Sequence, residues 1–387
     1  MNRACPLCSE VHAVNIAALD YAMWDDLAID AHALLVSCVE CGMVYHQTVA
    51  SESDFAQYYK HNSYYATAET GGAGGFSADE ISRYQRTYSI VSKYLNNKNP
   101  SIVDVGAGQG GFLSWCKDQG LHHLTAIEKS DSCSKFIKNN LQTPVYNDVV
   151  DFAVGNKQAI DVIIISHMLE HAFNPSHLLA QLIDVTDENT LFYFEVPNAA
   201  FYVAEENPWQ YLYFEHINHF DSIHLEMLLN DLGLGALFKV ESSFIPEKGN
   251  DQECCVIVAK KVMRKRLEHS YTLALLMQVN LKYPSSILSY LELNLDDSAK
   301  KISIWGISQY SQFLIAKSPF LLKQLRFLID KSPAKCDRYL RSHKVEGVDK
   351  ILELGSDDIL LIPKNIISKE MKASLDNMKF SGEIILF

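Results

Sequence analysis

Between residues 77 and 260 the apolar positions alternate between two periods. Over 77–95, Ile81, Tyr84, Tyr88, Ile90 and Val91 fall near helical spacing, which predicts a helix. Short apolar runs follow at about 101–105, 123–128 and 160–166, with helical stretches between them. That βαβ rhythm predicts a parallel sheet. The run 161–166 is almost continuously apolar, as a strand buried on both faces should be. Another strand is predicted at 191–196. Two β-rich stretches, at about 236–245 and 253–260, read as an antiparallel pair closing the sheet.

Sheets of this kind bind ligands beyond the carboxyl ends of their strands, and polar residues gather there in this chain. The first strand runs into a turn containing Gly106, Gly108, Gly110 and Gly111, and Glu128 ends the next strand, twenty residues after Gly108. Gly106, Gly108 and Gly111 satisfy the dinucleotide-binding pattern, with Glu128 where an acid holds a ribose hydroxyl. The same stretch satisfies the acid-x-Gly-x-Gly-x-Gly turn of class I S-adenosylmethionine (SAM) methyltransferases, and an ordinary tight strand-to-helix turn is the plain alternative. Asp104 favours SAM, because a carboxylate two residues before the first glycine suits a cationic amino group. A pyrophosphate gains nothing from an anion there. Asp148, after the short strand 145–146, is placed to reach the adenine or is simply a polar loop residue. Ser166 to His171 follow the fourth strand, with Ser166 on the cofactor side and His171 either toward the cleft or a structural helix-start residue. Glu195 to Asn198 end the fifth strand. The ten residues 211–220, Tyr-Leu-Tyr-Phe-Glu-His-Ile-Asn-His-Phe, are too dense in titratable and aromatic groups for packing alone, and are read as part of a site.

Composition narrows the setting. At 387 residues the chain suits two or three domains, and 48% hydrophobic content is ample for buried cores. No run approaches a membrane span and no export signal is evident, so a soluble cytoplasmic protein is expected. A net charge of −13 argues against a nucleic-acid partner. The short basic run 260–266 is read as a solvated linker rather than a binding patch. Of nine cysteines, four are paired in sequence: Cys5 with Cys8, and Cys38 with Cys41. Two such knuckles supply four thiolates to a structural zinc ion and leave no open position for catalysis. Between this knot and the glycine turn lie the tyrosine-rich stretch 58–65 and the glycine-rich 71–75, which read equally as a lid or as a packed surface loop.

The zinc knot, the SAM turn, Leu-Glu-His at 169–171, Glu-Val-Pro at 195–197 and the cluster 211–220 together resemble the sugar C-methyltransferases. These act on nucleotide-linked 4-keto-6-deoxysugars. The resemblance implies an α/β fold of three parts. A zinc-binding and substrate-lid domain would span 1–75. A class I, Rossmann-like SAM domain with an antiparallel end pair would span 76–261. A helical linker, 262–299, would lead to a C-terminal Rossmann-like domain over 300–387. Residues 302–306, 328–335 and 359–365 resemble pieces of that last domain. The resemblance also implies roles: His216 as general base, Glu215 and Tyr213 positioning substrate and base, and His171 near the sugar. Two departures stand out. The family's His-Gly-Gly-Ser-x-Arg turn is replaced by 248–253, without the arginine, and the Pro-Gly expected after Lys335 is replaced by 340–343. With one glycine in its 306–310 turn, the third domain is expected to bind substrate or be structural. The remaining alternatives are O- or N-methylation of another small molecule or glycan, and an RNA-modifying methyltransferase, which the acidic charge disfavours.

Overall fold

The computed structural model describes residues 3–27, 29–62, 74–156, 158–202, 208–243, 253–263, 269–281, 300–363, 368–378 and 380–387. Several stretches named above fall outside them: 63–65 of the tyrosine-rich segment, 71–73, the turn 248–252, the basic residues 264–266 and most of the expected linker.

Three sheets organise the chain. The first is antiparallel, β1 (Ala13–Asp20), β2 (His32–Cys38) and β3 (Val44–Thr48). The central sheet contains β4 (Ile102–Val105), β5 (Leu124–Ile127), β6 (Val145–Tyr146), β7 (Val162–Ser166) and β8 (Leu191–Pro197). A two-residue strand, β9 (Asn218–His219), leaves the central region and pairs with β3, adding a fourth strand to the first sheet. The central sheet is completed by β10 (Leu234–Ser243) and β11 (Glu253–Lys261), and its order is β10-β11-β8-β7-β4-β5-β6. The predicted antiparallel pair is present, with β11 inserted between β8 and β10 and antiparallel to both. The third sheet holds β12 (Lys301–Trp305), β13 (Leu325–Ile329), β14 (Tyr339–Leu340), β15 (His343–Glu346), β16 (Asp358–Ile362) and β17 (Glu383–Leu386). Its order is β14-β15-β13-β12-β16-β17.

Alternation along the central strands decides which layer each side chain joins. Val103, Val105, Ile163, Ile165, Phe192 and Phe194 form one core face, which also receives Cys5, Cys38, Cys41 and Met43 from the cysteine knuckles. Ile102, Ala126, Ile164, Tyr193 and Val258 form the opposite face with the helical layer. Both faces are covered, as the apolar runs required. A third core is continuous from Leu19, Leu35 and Val44 of the first sheet to Ile302, Ile304 and Leu361 of the last. Tyr21 meets Phe313 at 6.1 Å between ring centroids, and the Arg338 guanidinium lies 4.4 Å from the Trp24 ring centroid.

The sheet reverses its winding between β4 and β7, since β5 and β6 follow on one side and β8 on the other. That switch point opens the crevice in which the candidate site lies. Among the described residues, no helix is long and apolar enough to cross a membrane.

Candidate active site

At the end of β4 the backbone turns through three left-handed glycines, Gly106, Gly108 and Gly110, with φ of 76°, 56° and 78°. A side chain at Gly106 would be strained by that φ and would place its Cβ 2.9 Å from Met168 Cγ. The turn is pinned from the next strand: Gly106 N–H donates to Ile127 O at 2.8 Å, and Gly108 N–H to Glu128 Oε2 at 2.7 Å. Ser130 N–H donates to the other Glu128 oxygen at 2.7 Å. Glu128 thus cross-links the two strand ends, and each of its oxygens keeps a second lone pair for a ligand. Burial pushes both Asp104 and Glu128 up to about 7.

These groups line a cavity of about 850 Å³. Its wall includes Asp104, Gly106, Gly108, Glu128, Asp148 and Ser166 from the central sheet, and His171, Tyr213 and His216 from the later loops. The N-terminal segment supplies a further side, through Phe55, Ala56 and Tyr59. The volume is near the upper end of the roughly 300–1,000 Å³ usual for small-molecule sites, which leaves room for an acceptor beside a cofactor. A buried carboxylate at the end of β4, exposed glycine backbone and a second carboxylate on the neighbouring strand form a donor set that fits the ammonium and ribose of SAM. Bound there, SAM would supply an electrophilic methyl group.

Two of the cofactor-side residues also have other hydrogen-bond partners. Asp148 caps helix Val149–Gly155, accepting from Asp151 N–H at 2.8 Å. The Ser166 hydroxyl donates to Glu195 Oε2 at 3.3 Å. Gly110 does not belong to the cavity wall. It precedes helix Gly111–Asp118; its left-handed φ of 78° calls for a glycine, and a Cβ there would also meet Leu141 Cδ1 at 2.8 Å and Ile137 Cγ1 at 2.9 Å.

The cluster 211–220 divides between two environments. Tyr213 and His216 face the cavity, their rings edge-to-face at 4.8 Å, and His171 meets His216 at 4.7 Å. Burial, reinforced by the neighbouring imidazoles of His171, His219 and His167, holds His216 well below the usual histidine range. It is therefore neutral near pH 7. Burial raises the Tyr213 phenol. Glu215, expected to position substrate and base, does not line the cavity, and its carboxylate is held by two other segments. Tyr58 donates its hydroxyl to Oε1 at 2.7 Å and Gln309 its side-chain amide to Oε2 at 2.9 Å. The chain makes a turn here, closed by His216 N–H donating to Tyr213 O at 3.1 Å, which brings Tyr213 and His216 to the same side and turns Glu215 away.

Tyr59 Oη lies 3.1 Å from His171 Nδ1 and donates to Glu215 O at 3.2 Å, so the tyrosine-rich segment does reach the site. Motif reading gave no role to Glu170 or to the group around Glu195. Glu195 pairs with Arg86 from helix Ala78–Val91 and accepts from Tyr193 Oη at 2.8 Å. Burial works against its charge, but His167 and Arg86 hold it well below the ordinary carboxylate range. His167 Nε2 lies 3.6 Å from Glu195 and 3.7 Å from the Cys254 thiol. The signal for this network was two arginines one helical turn apart on a predicted amphipathic helix, a pattern that ordinarily marks a solvated face.

The four knuckle cysteines converge. Cys5 and Cys41 sulfurs lie 3.6 Å apart, those of Cys8 and Cys38 3.5 Å apart, and all four lie within 4.8 Å of one another. Tetrahedral zinc with bonds of about 2.3 Å requires sulfur separations of about 3.8 Å. The four sulfurs fit such an ion, which would be structural. His224 Nε2 lies 3.2 Å from the Cys41 carbonyl, tying the knot to the central helix Ser222–Asp231.

Residues 76–237 match the family model described as "Methyltransferase domain". That segment is similar to methyltransferase domains. Its class I α/β sheet, its glycine turn and the cavity at its switch point form one unit. No curated protein matches the sequence. Solved structures with partial likeness include the plantazolicin methyltransferase BpumL in complex with SAH. It is 17% identical, with a TM-score of 0.38, over 54% of this chain and 90% of that one. The 1,6-didemethyltoxoflavin-N1-methyltransferase of Burkholderia thailandensis, with 1,6-didemethyltoxoflavin and S-adenosylhomocysteine bound, is 14% identical. Its TM-score is 0.39, over 58% of this chain and 97% of that one. A SAM-dependent methyltransferase from Archaeoglobus fulgidus is 19% identical, with a TM-score of 0.35, over 46% and 94%. At these values the likenesses carry no argument about the methyl acceptor.

Proposed function

We propose that the protein methylates a carbon of a nucleotide-linked 4-keto-6-deoxysugar, with His216 as general base and SAM as methyl donor. One observation supports this reading above the others: Tyr213, His171 and His216 line the same cavity as Asp104, Gly106 and Glu128. The motifs shared with the sugar C-methyltransferases point to the keto-sugar as the acceptor.

A ketone acidifies the adjacent C–H. The neutral imidazole of His216 takes that proton, and the electron pair moves toward the carbonyl oxygen, leaving a nucleophilic carbon. Tyr213 Oη is a donor available to that oxygen, and its raised pKa keeps the phenol protonated. His171 is held by Tyr59 and the Glu215 carbonyl, so it presents a fixed imidazole edge to the acceptor. Asp104, Gly108 and Glu128 orient the donor. In this reading Cys5, Cys8, Cys38 and Cys41 hold a structural zinc ion, and residues 300–387 form a Rossmann-like domain that supports the site from outside.

Incubation with a 4-keto-6-deoxysugar nucleotide in deuterated water tests the carbon-acid step. Deuterium should enter the carbon beside the ketone, and should fail to enter in His216→Ala. Methyl transfer to oxygen or nitrogen, with no exchange at carbon, would replace this reading by O- or N-methylation with the same imidazole acting on a hydroxyl or amine.

A further inference from the structure

The geometry points to a divalent-cation site on the cavity wall, formed by Glu170, His171 and His216 and separate from the cysteine knot. One oxygen of Glu170 and one nitrogen from each histidine lie within 4.8 Å of one another. All three residues line the cavity.

Glu170 supplies the first argument. It is 2% exposed, and neither carboxylate oxygen has a hydrogen-bond partner among the described residues. A buried carboxylate without donors costs several kcal/mol unless a cation is close. The nearest is His167, whose Nδ1 lies 3.4 Å away, but His167 is shared with Glu195 through its other nitrogen. His167 faces Oε1 alone, and Glu195 also has Arg86, so Glu170 Oε2 keeps coordinating capacity unused.

The second argument is the orientation of His171. Its Nδ1 lies 3.1 Å from both the Glu215 carbonyl oxygen and Tyr59 Oη; in the tautomer with Nδ1–H the ring donates to that carbonyl. The lone pair is then on Nε2, which lies 4.0 Å from Glu170 Oε1. A lone pair facing a carboxylate is repulsive, and a cation between them reverses the sign. Fixing the outer nitrogen on a carbonyl is also how metal-binding histidines are usually held. His216 adds the third donor and has its own orphan: Nδ1 is buried without a partner among the described residues.

Local structure brings these donors together. A single helical turn, Leu169–His171, places Glu170 and His171 side by side after β7, and His216 arrives from the segment leading into β9. Two imidazoles and one carboxylate suit borderline first-row cations such as zinc or cobalt(II) rather than calcium or magnesium. Three protein ligands facing a cavity leave a position open, the arrangement of a reactive site rather than a structural one. The cation would bind oxygen groups of the acceptor. It would also commit the His216 lone pair, so under the proposed reaction cation and proton acceptance exclude each other.

The test needs no substrate. Full-length protein stripped of metal is titrated with cobalt(II). Thiolate ligation at the cysteine knot gives an intense charge-transfer band, whereas a site of nitrogen and oxygen donors gives only weak visible bands. We expect two equivalents bound by the wild type. Glu170→Gln and His171→Ala should each bind one, with the thiolate band and SAM binding retained as evidence of folding. One equivalent in the wild type, or two in both variants, overturns the site. Turnover of the keto-sugar with and without saturating cation then addresses the base separately. Suppression is expected if His216 is the base. Stimulation with two equivalents bound upholds the cation site and overturns His216 as base.

Discussion

Gln309 donates its side-chain amide to Glu215 Oε2 at 2.9 Å, across 94 residues of chain. The other Glu215 oxygen accepts from Tyr58 at 2.7 Å, so three segments distant in sequence meet at one buried carboxylate. Burial raises the Glu215 pKa, and these two donors oppose that rise. Hydrogen bonds to a charged acceptor are worth about 1.5–3 kcal/mol each, and losing one leaves the partner unsatisfied. Gln309→Ala is expected to destabilise the protein by roughly 1–3 kcal/mol and to raise KM for the acceptor more than it changes SAM affinity. Thermal unfolding together with SAM calorimetry checks both parts.

SAM affinity should depend on pH around neutrality. Asp104 has its pKa raised to about 7 by burial, so it is ionised above that pH and protonated below it. The ammonium group of SAM gains from the anion, and binding therefore weakens as pH falls through about 7. One linked proton gives up to about a tenfold rise in Kd per pH unit. Glu128, also raised to about 7, adds to the slope. Calorimetry between pH 8 and 6 should show the trend, and Asp104→Asn should bind weakly with a flatter profile.

His216→Ala should lower turnover by at least about a hundredfold, the usual scale for loss of a general base. SAM binding should stay within a few-fold, because Asp104, Gly108 and Glu128 are untouched. A comparable loss of SAM affinity would refute the assignment of His216 as base.

Cys38→Ser should remove the thiolate-bound ion and lower the melting temperature, since the knuckles pack into the same core as Phe220 and Leu225. Metal analysis of the wild type is the direct check. Protein that is fully folded and free of thiolate-bound zinc would refute the knot.

The helix at 78–91 and strands β4 to β8 were readable because both their period and their burial are local properties of the chain. The same holds for the glycine turn and the cysteine pairs, whose spacings carry their chemistry directly. Pairings across long separations were not readable. Nothing in Glu215 and its neighbours names Gln309 as a partner, and nothing in Asn218-His219 says that this dipeptide pairs with Val44 and Tyr45. Gly110 was read as a cofactor contact because it shares a pattern with Gly106 and Gly108. Its place outside the cavity wall, against Ile137 and Leu141, is visible only in the folded chain.

The pairing of β9 with β3 joins the residues after His216 to the zinc-knot sheet by backbone hydrogen bonds. Arg3 reinforces the join, donating to Ile217 O at 2.9 Å and to Asn218 Oδ1 at 2.5 Å. The first fifty residues and the segment 213–219 therefore have to be inherited together. Recombination among relatives that exchanged one without the other would break the sheet that joins them, even if each parent were sound.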